Sequence, residues 1–270
     1  MTFLRKAATV AAIATTAVMT TAAHAGHQYA FANAYVDYLN WEHGVEDLRS
    51  TNADGKNGNR GDHFTLGIEG GAGFDWGELY GFYEYEKINW SSDERNQAMK
   101  ISGHYRIAGS DFTLYGQVYD INDNKFDSAE QNRVVGIGYL GLQGEGWWFK
   151  PWIGYHDISV DGVNLAYVDG VNDSSEFQGN NGGMLGWSAG YAFTVAGQSL
   201  MLTNWNEIEF ARNDAYSKLQ YGDTGLNGAV GLWYDINETF YTGIQYRYFN
   251  NKLGWDGYGD AMIYRIGMHL

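Results

Sequence analysis

Asp260-Ala261-Met262-Ile263-Tyr264-Arg265-Ile266-Gly267-Met268-His269-Leu270 ends the chain, and Met262, Tyr264, Ile266, Met268 and Leu270 place an apolar residue at every second position. Ala261, Arg265 and His269 lie on the opposite face. Successive strand side chains point to opposite sides, so this segment is a strand with one greasy and one mixed face. A soluble domain gains nothing from an apolar face carried to the last residue. The alternation recurs upstream. Met99, Ile101, Tyr105 and Ile107 oppose Lys100, Ser102, His104 and Arg106, while Phe240, Ile244, Tyr246 and Tyr248 oppose Tyr241, Gln245 and Arg247.

Extended along the chain, this pattern predicts about twelve strands, at 28–41, 63–75, 77–88, 97–107, 111–120, 132–142, 147–160, 183–195, 199–212, 226–235, 239–249 and 260–270. Tight turns fall at Trp76, Ala108–Ser110, Gln143–Gly146, Ala196–Gln198 and Ile236–Glu238. Long polar connections fall at 42–62, 89–96, 121–131, 161–182, 213–225 and 250–259. Short and long connections alternate, as in an outer-membrane barrel with short periplasmic turns and longer extracellular loops. Lipid cannot satisfy an unpaired backbone group, so a spanning sheet must close on itself. The fold class expected is therefore all-β: a transmembrane antiparallel up-and-down β-barrel in the outer membrane. Trp41, Phe74, Trp147, Tyr191, Phe193, Phe210, Phe240 and Tyr248 near strand ends suit its interfacial girdles. The competing reading is a secreted β-sandwich or lectin, which alternates strands and turns without the short/long rhythm. Pro151 must sit at a strand end or bulge, since a closed barrel has no free edge to hide it.

Composition agrees. Of 270 residues one is Pro and 37 are Gly, with 10 Trp, 21 Tyr and 13 Phe. About 13 prolines would be usual at this length, and each would remove a donor from a ladder. The absence of cysteine excludes a disulfide scaffold, a thiolate metal site and a cysteine nucleophile. A net charge of −15 argues against a nucleic-acid partner. Residues 1–25 carry Arg5 and Lys6, an apolar run from Ala7 to Val18 and Ala23-His24-Ala25. That order is expected of a signal peptide cleaved after Ala25, which leaves 26–270 as one barrel.

The polar faces carry Glu69, Glu84, Glu86, Glu207 and Glu209 against Lys100, Arg106, Lys150, Arg247 and Arg265, a wall of balanced charge. A one-signed wall would select ions. A balanced wall with Tyr115, Tyr119, Trp152 and Trp205 suits small uncharged solutes with a flat ring, which stack on aromatic faces. Those residues are the expected pore-lining set. The same charges could instead pair across a plugged lumen, giving a closed barrel that serves adhesion or phage attachment. A barrel enzyme, such as a lipid hydrolase, would need a serine beside His104 or His156, and no G-x-S-x-G motif is present. No metal site or cofactor is expected. The histidines are scattered, and Asp120–Asn124 fails as a calcium loop because Lys125 and Gln131 replace the required Gly and Glu. The acidic loops read as solvated, able to bridge divalent cations to lipopolysaccharide.

Asp75-Trp76-Gly77-Glu78-Leu79-Tyr80-Gly81-Phe82 resembles the second-turn segment of the Tsx-like nucleoside channels and OmpK outer-membrane proteins. Gly254-Trp255-Asp256-Gly257-Tyr258 before the last strand is similar to theirs as well, and size and hairpin count agree over 26–270. The resemblance implies a monomeric twelve-stranded barrel whose narrow, aromatic-rich lumen passes nucleosides and which can act as a phage receptor.

Overall fold

The computed structural model describes residues 26–43, 45, 60–125, 127–161 and 177–270. The expected signal peptide and most of the acidic 161–182 loop, including Asp169, Asp173 and Glu176, lie outside the described residues.

The described residues form twelve long strands: β1 His27–Glu42, β2 His63–Phe74, β3 Gly77–Glu86, β4 Asn96–Arg106, β5 Phe112–Asp123, β6 Ser128–Tyr139, β7 Trp147–Asp161, β8 Phe177–Val195, β9 Gln198–Phe210, β10 Gly225–Asp235, β11 Phe240–Asn250 and β12 Tyr258–His269. Each pairs antiparallel with its neighbours in the chain, β12 returns to β1, and the ring is closed. Inside the barrel mouth α1, Asp214–Leu219, is capped by Asn213, whose side chain accepts from the Ala215 N–H.

The short connections gather at one end and the longer ones at the other, with one exception. The β5 and β6 ladder runs on to Asp123↔Ser128, so the polar stretch read as a loop at 121–131 is mostly hairpin. Asn and Asp are poor strand formers, and the sequence signal was propensity; pairing overrides it. For the same reason β8 begins at Phe177 rather than at 183. Pro151 lies one residue beyond the last β6–β7 pair, Gly138↔Trp152. The Phe149 N–H, two residues earlier, points to that side and bonds Leu142. The missing donor of Pro151 therefore falls where the ladder has ended.

Register sorts the side chains into an apolar outside and a polar inside. Ile68, Leu114, Val135, Ile137, Ile153 and Ile266 are exposed on the outer wall, while Asp37, Thr65, His104, Gln117, Asn132, Glu209 and Arg265 are buried inside. That inversion is stable only if hydrocarbon surrounds the barrel. Trp147, Tyr191 and Phe240 are exposed at the short-turn end, as girdle residues should be. Trp41 is not a girdle residue. It shares the inward face of β1 with Asp37 and Leu39 and packs edge-on against Phe249. Phe74 is also covered, stacked 4.9 Å under Trp76.

The face assignment has a direct test. Cysteines introduced by Glu84→Cys and Lys100→Cys should react with a small water-soluble thiol reagent supplied from outside. Ile101→Cys and Ile244→Cys should not, because those outer-wall side chains meet lipid. Equal labelling of the two sets would refute the register.

Candidate functional site

The lumen is built by a parity rule: β3, β4, β6, β7 and the stretch of β8 from Met184 onward present even-numbered residues inward, and the other strands odd-numbered ones. Glycines on the inner wall give large rings room to lie flat. A Cβ at Gly186 would meet the Trp152 ring at 2.5 Å, and one at Gly67 the Tyr35 ring at 2.2 Å.

Three levels of charge contacts follow one another along the axis. Nearest the short turns, Lys150 on β7 reaches Glu78 on β3 at 2.5 Å, and the Tyr29 hydroxyl donates to the same carboxylate at 2.8 Å. At mid-height Lys100 on β4 pairs with Glu207 on β9, which also accepts from Gln117 at 2.9 Å. Lys100 lies 5.9 Å above the Trp205 ring. Both pairs link strands that are not neighbours in the sheet, four and five strands apart. Beside them Tyr115 stacks on Trp152, ring centres 4.5 Å apart and 16° from parallel, and the Tyr119 ring leans on Phe82 at 6.5 Å.

The β1–β12 seam carries the second feature. Arg265 grips Asp37 through Nε and Nη2 at 2.7 and 2.8 Å, reaches Glu69 at 3.3 Å and lies 3.4 Å over the Tyr35 ring. Glu69 also accepts from Tyr80 at 3.0 Å, and Glu84 from Tyr35 at 2.8 Å. A guanidinium fork matched to a carboxylate is the strongest of these contacts in geometry.

At the long-loop mouth the 211–224 connection folds inward. Arg212 donates to Glu209 at 2.7 Å and to the carbonyls of Gly222, Thr224 and Asn251. Lys252 caps the same carboxylate and stands 3.9 Å from Glu130. Tyr216 of α1, wholly buried, donates to Glu130 at 3.3 Å. Burial and that neighbouring carboxylate hold its phenol protonated, well above the ordinary range. A second plug packs Trp41, Val45, Phe249 and Ile263 with Leu253 and Trp255.

The fourteen residues singled out in the sequence all lie on inward faces, but not at one place. Glu69, Glu84 and Arg265 join the seam; Lys100, Trp205 and Glu207 join the mid-lumen bridge; Tyr115 and Trp152 stack beside it. Glu209 belongs to the mouth, and Lys150 to the lower bridge. Arg106, at the end of β4, turns to Asp111 in the adjacent turn. Tyr119 stands level with Lys100 on the neighbouring strand, and Glu86 and Arg247 face the upper chamber. Sequence reasoning missed Glu78, Asp37, Gln117, Glu130 and Lys252. Glu78 shares the parity of Glu84 and could have been read from it; Lys252 comes from a loop and could not. His104 bonds Thr113 at 2.8 Å, and His156 bonds Asn132 at 2.8 Å and Asn181 at 3.3 Å.

Among solved structures the chain is similar to the NanC porin, with 12% identity over 87% of this chain and 98% of that one and a TM-score of 0.47. It is also similar to the outer membrane channel DcaP of Acinetobacter baumannii, with 11% identity over 91% and 98% and a TM-score of 0.39. A third likeness is to the outer membrane protein OprD from Pseudomonas aeruginosa, with 10% identity over 92% and 96% and a TM-score of 0.30. The family model described as nucleoside-specific channel-forming protein, Tsx, matches residues 36–269, from the second half of β1 to the end of β12. With a closed lipid-facing barrel and a polar lumen already in place, that match identifies the chain as a member of the Tsx family of outer-membrane channels.

Proposed function

We propose that this channel passes nucleosides down their concentration gradient, its solute path lined by Glu69, Glu84, Glu86, Lys100, Arg106, Tyr115, Tyr119, Lys150, Trp152, Trp205, Glu207, Glu209, Arg247 and Arg265. The observation that carries the reading is mid-lumen: Phe82 and Tyr119 on one wall and Trp205 on another flank the Lys100–Glu207 bridge. Stacking a base on an aromatic face is worth about 1–3 kcal/mol. The hydroxyls of a ribose can replace the lysine–carboxylate contact, because the lysine stem is flexible and its ammonium can donate to a hydroxyl oxygen instead. One chain encloses the whole lumen, which supports action as a monomer. No catalysis or cofactor enters the proposal; the inward histidines spend their nitrogens on Thr113, Asn132 and Asn181. The lipid bilayer is the partner of the outer wall, and the loop end would meet lipopolysaccharide and phage.

A second reading is favoured by the same bridges. Ion pairs that cross the lumen at two levels, with a folded-in mouth, also describe a barrel held shut that serves as a surface or phage receptor.

Flux into proteoliposomes separates the two. Adenosine and thymidine should enter faster than an uncharged sugar of similar size, and their flux should saturate. Equal rates for all three would remove the stacking site. No flux through folded protein would favour the closed receptor.

A further inference from the structure

Charges on the inward faces of the strands pair off level by level, except at two positions. Among the described residues Glu86 and Arg247 make no hydrogen bond and no ion pair, although neither is exposed. The Arg247 Nε is buried without a partner, and so is the Oδ1 of Asn227 on the adjoining strand. A buried polar atom left unpaired is costly, about 1–3 kcal/mol, so a solute that reaches these atoms supplies hydrogen bonds that the protein does not.

Both charges face one chamber in the upper lumen. The Tyr119 hydroxyl and the His63 ring each lie in electrostatic range of Glu86 and of Arg247 together. Arg247 sits opposite Ala229 and Ala261, with Trp205 beyond the first and Trp41 beyond the second. Small alanines on either side leave the guanidinium its own slot between two indoles. On its far side stands a second cation rather than an acid. Arg60, just ahead of β2, lies 6.0 Å from the Trp41 ring, and its pKa is drawn down to about 10, mainly by burial, with the like charge of Arg247 contributing. Arg247 therefore lacks the neutralising carboxylate that Lys100, Lys150, Lys252, Arg212 and Arg265 each have.

We propose that Glu86 and Arg247 are the specificity-determining pair of the channel, an open carboxylate and an open guanidinium that take the two ends of one dipolar, uncharged solute. The inference rests on the nucleoside reading and deepens it. Sugar hydroxyls donate to Glu86, an oxo group or ring nitrogen of the base accepts from Arg247, and the flat ring lies against Tyr119. Hydrogen bonds to ionised groups are roughly twice as strong as neutral ones. A chamber with one charge of each sign also disfavours a solute with net charge, which would meet a repelling group at one end.

Block of ionic current by uridine and by 2′,3′-dideoxyuridine, in planar bilayers holding the refolded full chain, tests the pair. Uridine should bind the unaltered channel about tenfold more tightly than the dideoxy compound. In Glu86→Gln that gap should close. In Arg247→Gln both ligands should weaken about tenfold while the gap persists. Reversal potentials in a KCl gradient should move toward anion preference in Glu86→Gln and toward cation preference in Arg247→Gln. A gap that survives Glu86→Gln, with normal block of the unaltered channel, overturns the pair alone. Reversal potentials unmoved in both variants overturn it too, by taking the chamber off the conduction path. An unaltered channel that neither nucleoside blocks overturns the nucleoside reading and the pair with it.

Discussion

Replacing Asp37 with alanine should cost the folded barrel about 3–5 kcal/mol, the usual loss when one partner of a buried ion pair is removed. Asp37 and Arg265 are both nearly inaccessible, and the bidentate contact ties β1 to β12 where the sheet closes. With the carboxylate gone, the carboxylates left to Arg265 are Glu69 at 3.3 Å and Glu84 at 4.0 Å, beside the face of Tyr35. The guanidinium charge is then left short of partners in a place that water hardly reaches. Urea unfolding from lipid vesicles, followed by tryptophan emission, measures the loss. Combining Asp37→Leu with Arg265→Met should recover part of it, since an apolar pair of similar volume carries no desolvation penalty. A single variant within about 1 kcal/mol of the parent would mean that backbone pairing alone secures the seam.

The second large effect is expected at the mouth. Glu209 is 1% exposed and holds both Arg212 and Lys252. Among the described residues Glu209→Ala removes the one carboxylate paired with Arg212, leaving it backbone carbonyls and the face of the Tyr216 ring. The penalty, again about 3–5 kcal/mol, should fall on the folded-in state of the 211–224 connection. Glu130 offers Lys252 and Tyr216 a fallback, so the loop should open without the barrel coming apart. Limited trypsin digestion should cut after Arg212 faster by about 100-fold or more, since each 1.4 kcal/mol is worth a factor of ten. Conductance should rise in the same variant if the connection narrows the pore. Unchanged cleavage would mean that α1 is held by packing of Tyr216 against Ile158 and Val160 rather than by charge.

Both effects depend on contacts that strand patterns cannot announce. Asp37 and Arg265 are 228 residues apart, and Lys100 and Glu207 are 107 apart. Parity places each of these side chains on the inner wall. It does not say which inward residues meet, because that depends on closure and on the width of the lumen. Lys252 and Tyr216 come from connections, where no periodicity exists to be read, and Arg212, read as the end of a strand at 199–212, lies beyond β9, which stops at Phe210. Trp41 was misplaced for a related reason: β1 carries aromatics on both faces, and only its pairing with β12 decides which face turns inward. The hairpin between β5 and β6 misled in the other direction, its Asp and Asn residues signalling a loop where paired backbone overrides them.

What the sequence determined by itself was the barrel: strand number, the alternation of connections, and the division of most strand residues between lipid and lumen. These follow from local rules, a two-residue period and the need of every backbone group in lipid for a partner. What only the tertiary structure decided was how the lumen is divided, with ion bridges at two levels, a latched mouth, and one chamber where Glu86 and Arg247 stand open. Those features arise between strands far apart in the chain, where Coulomb attraction acts only after closure has brought the walls within reach of one another.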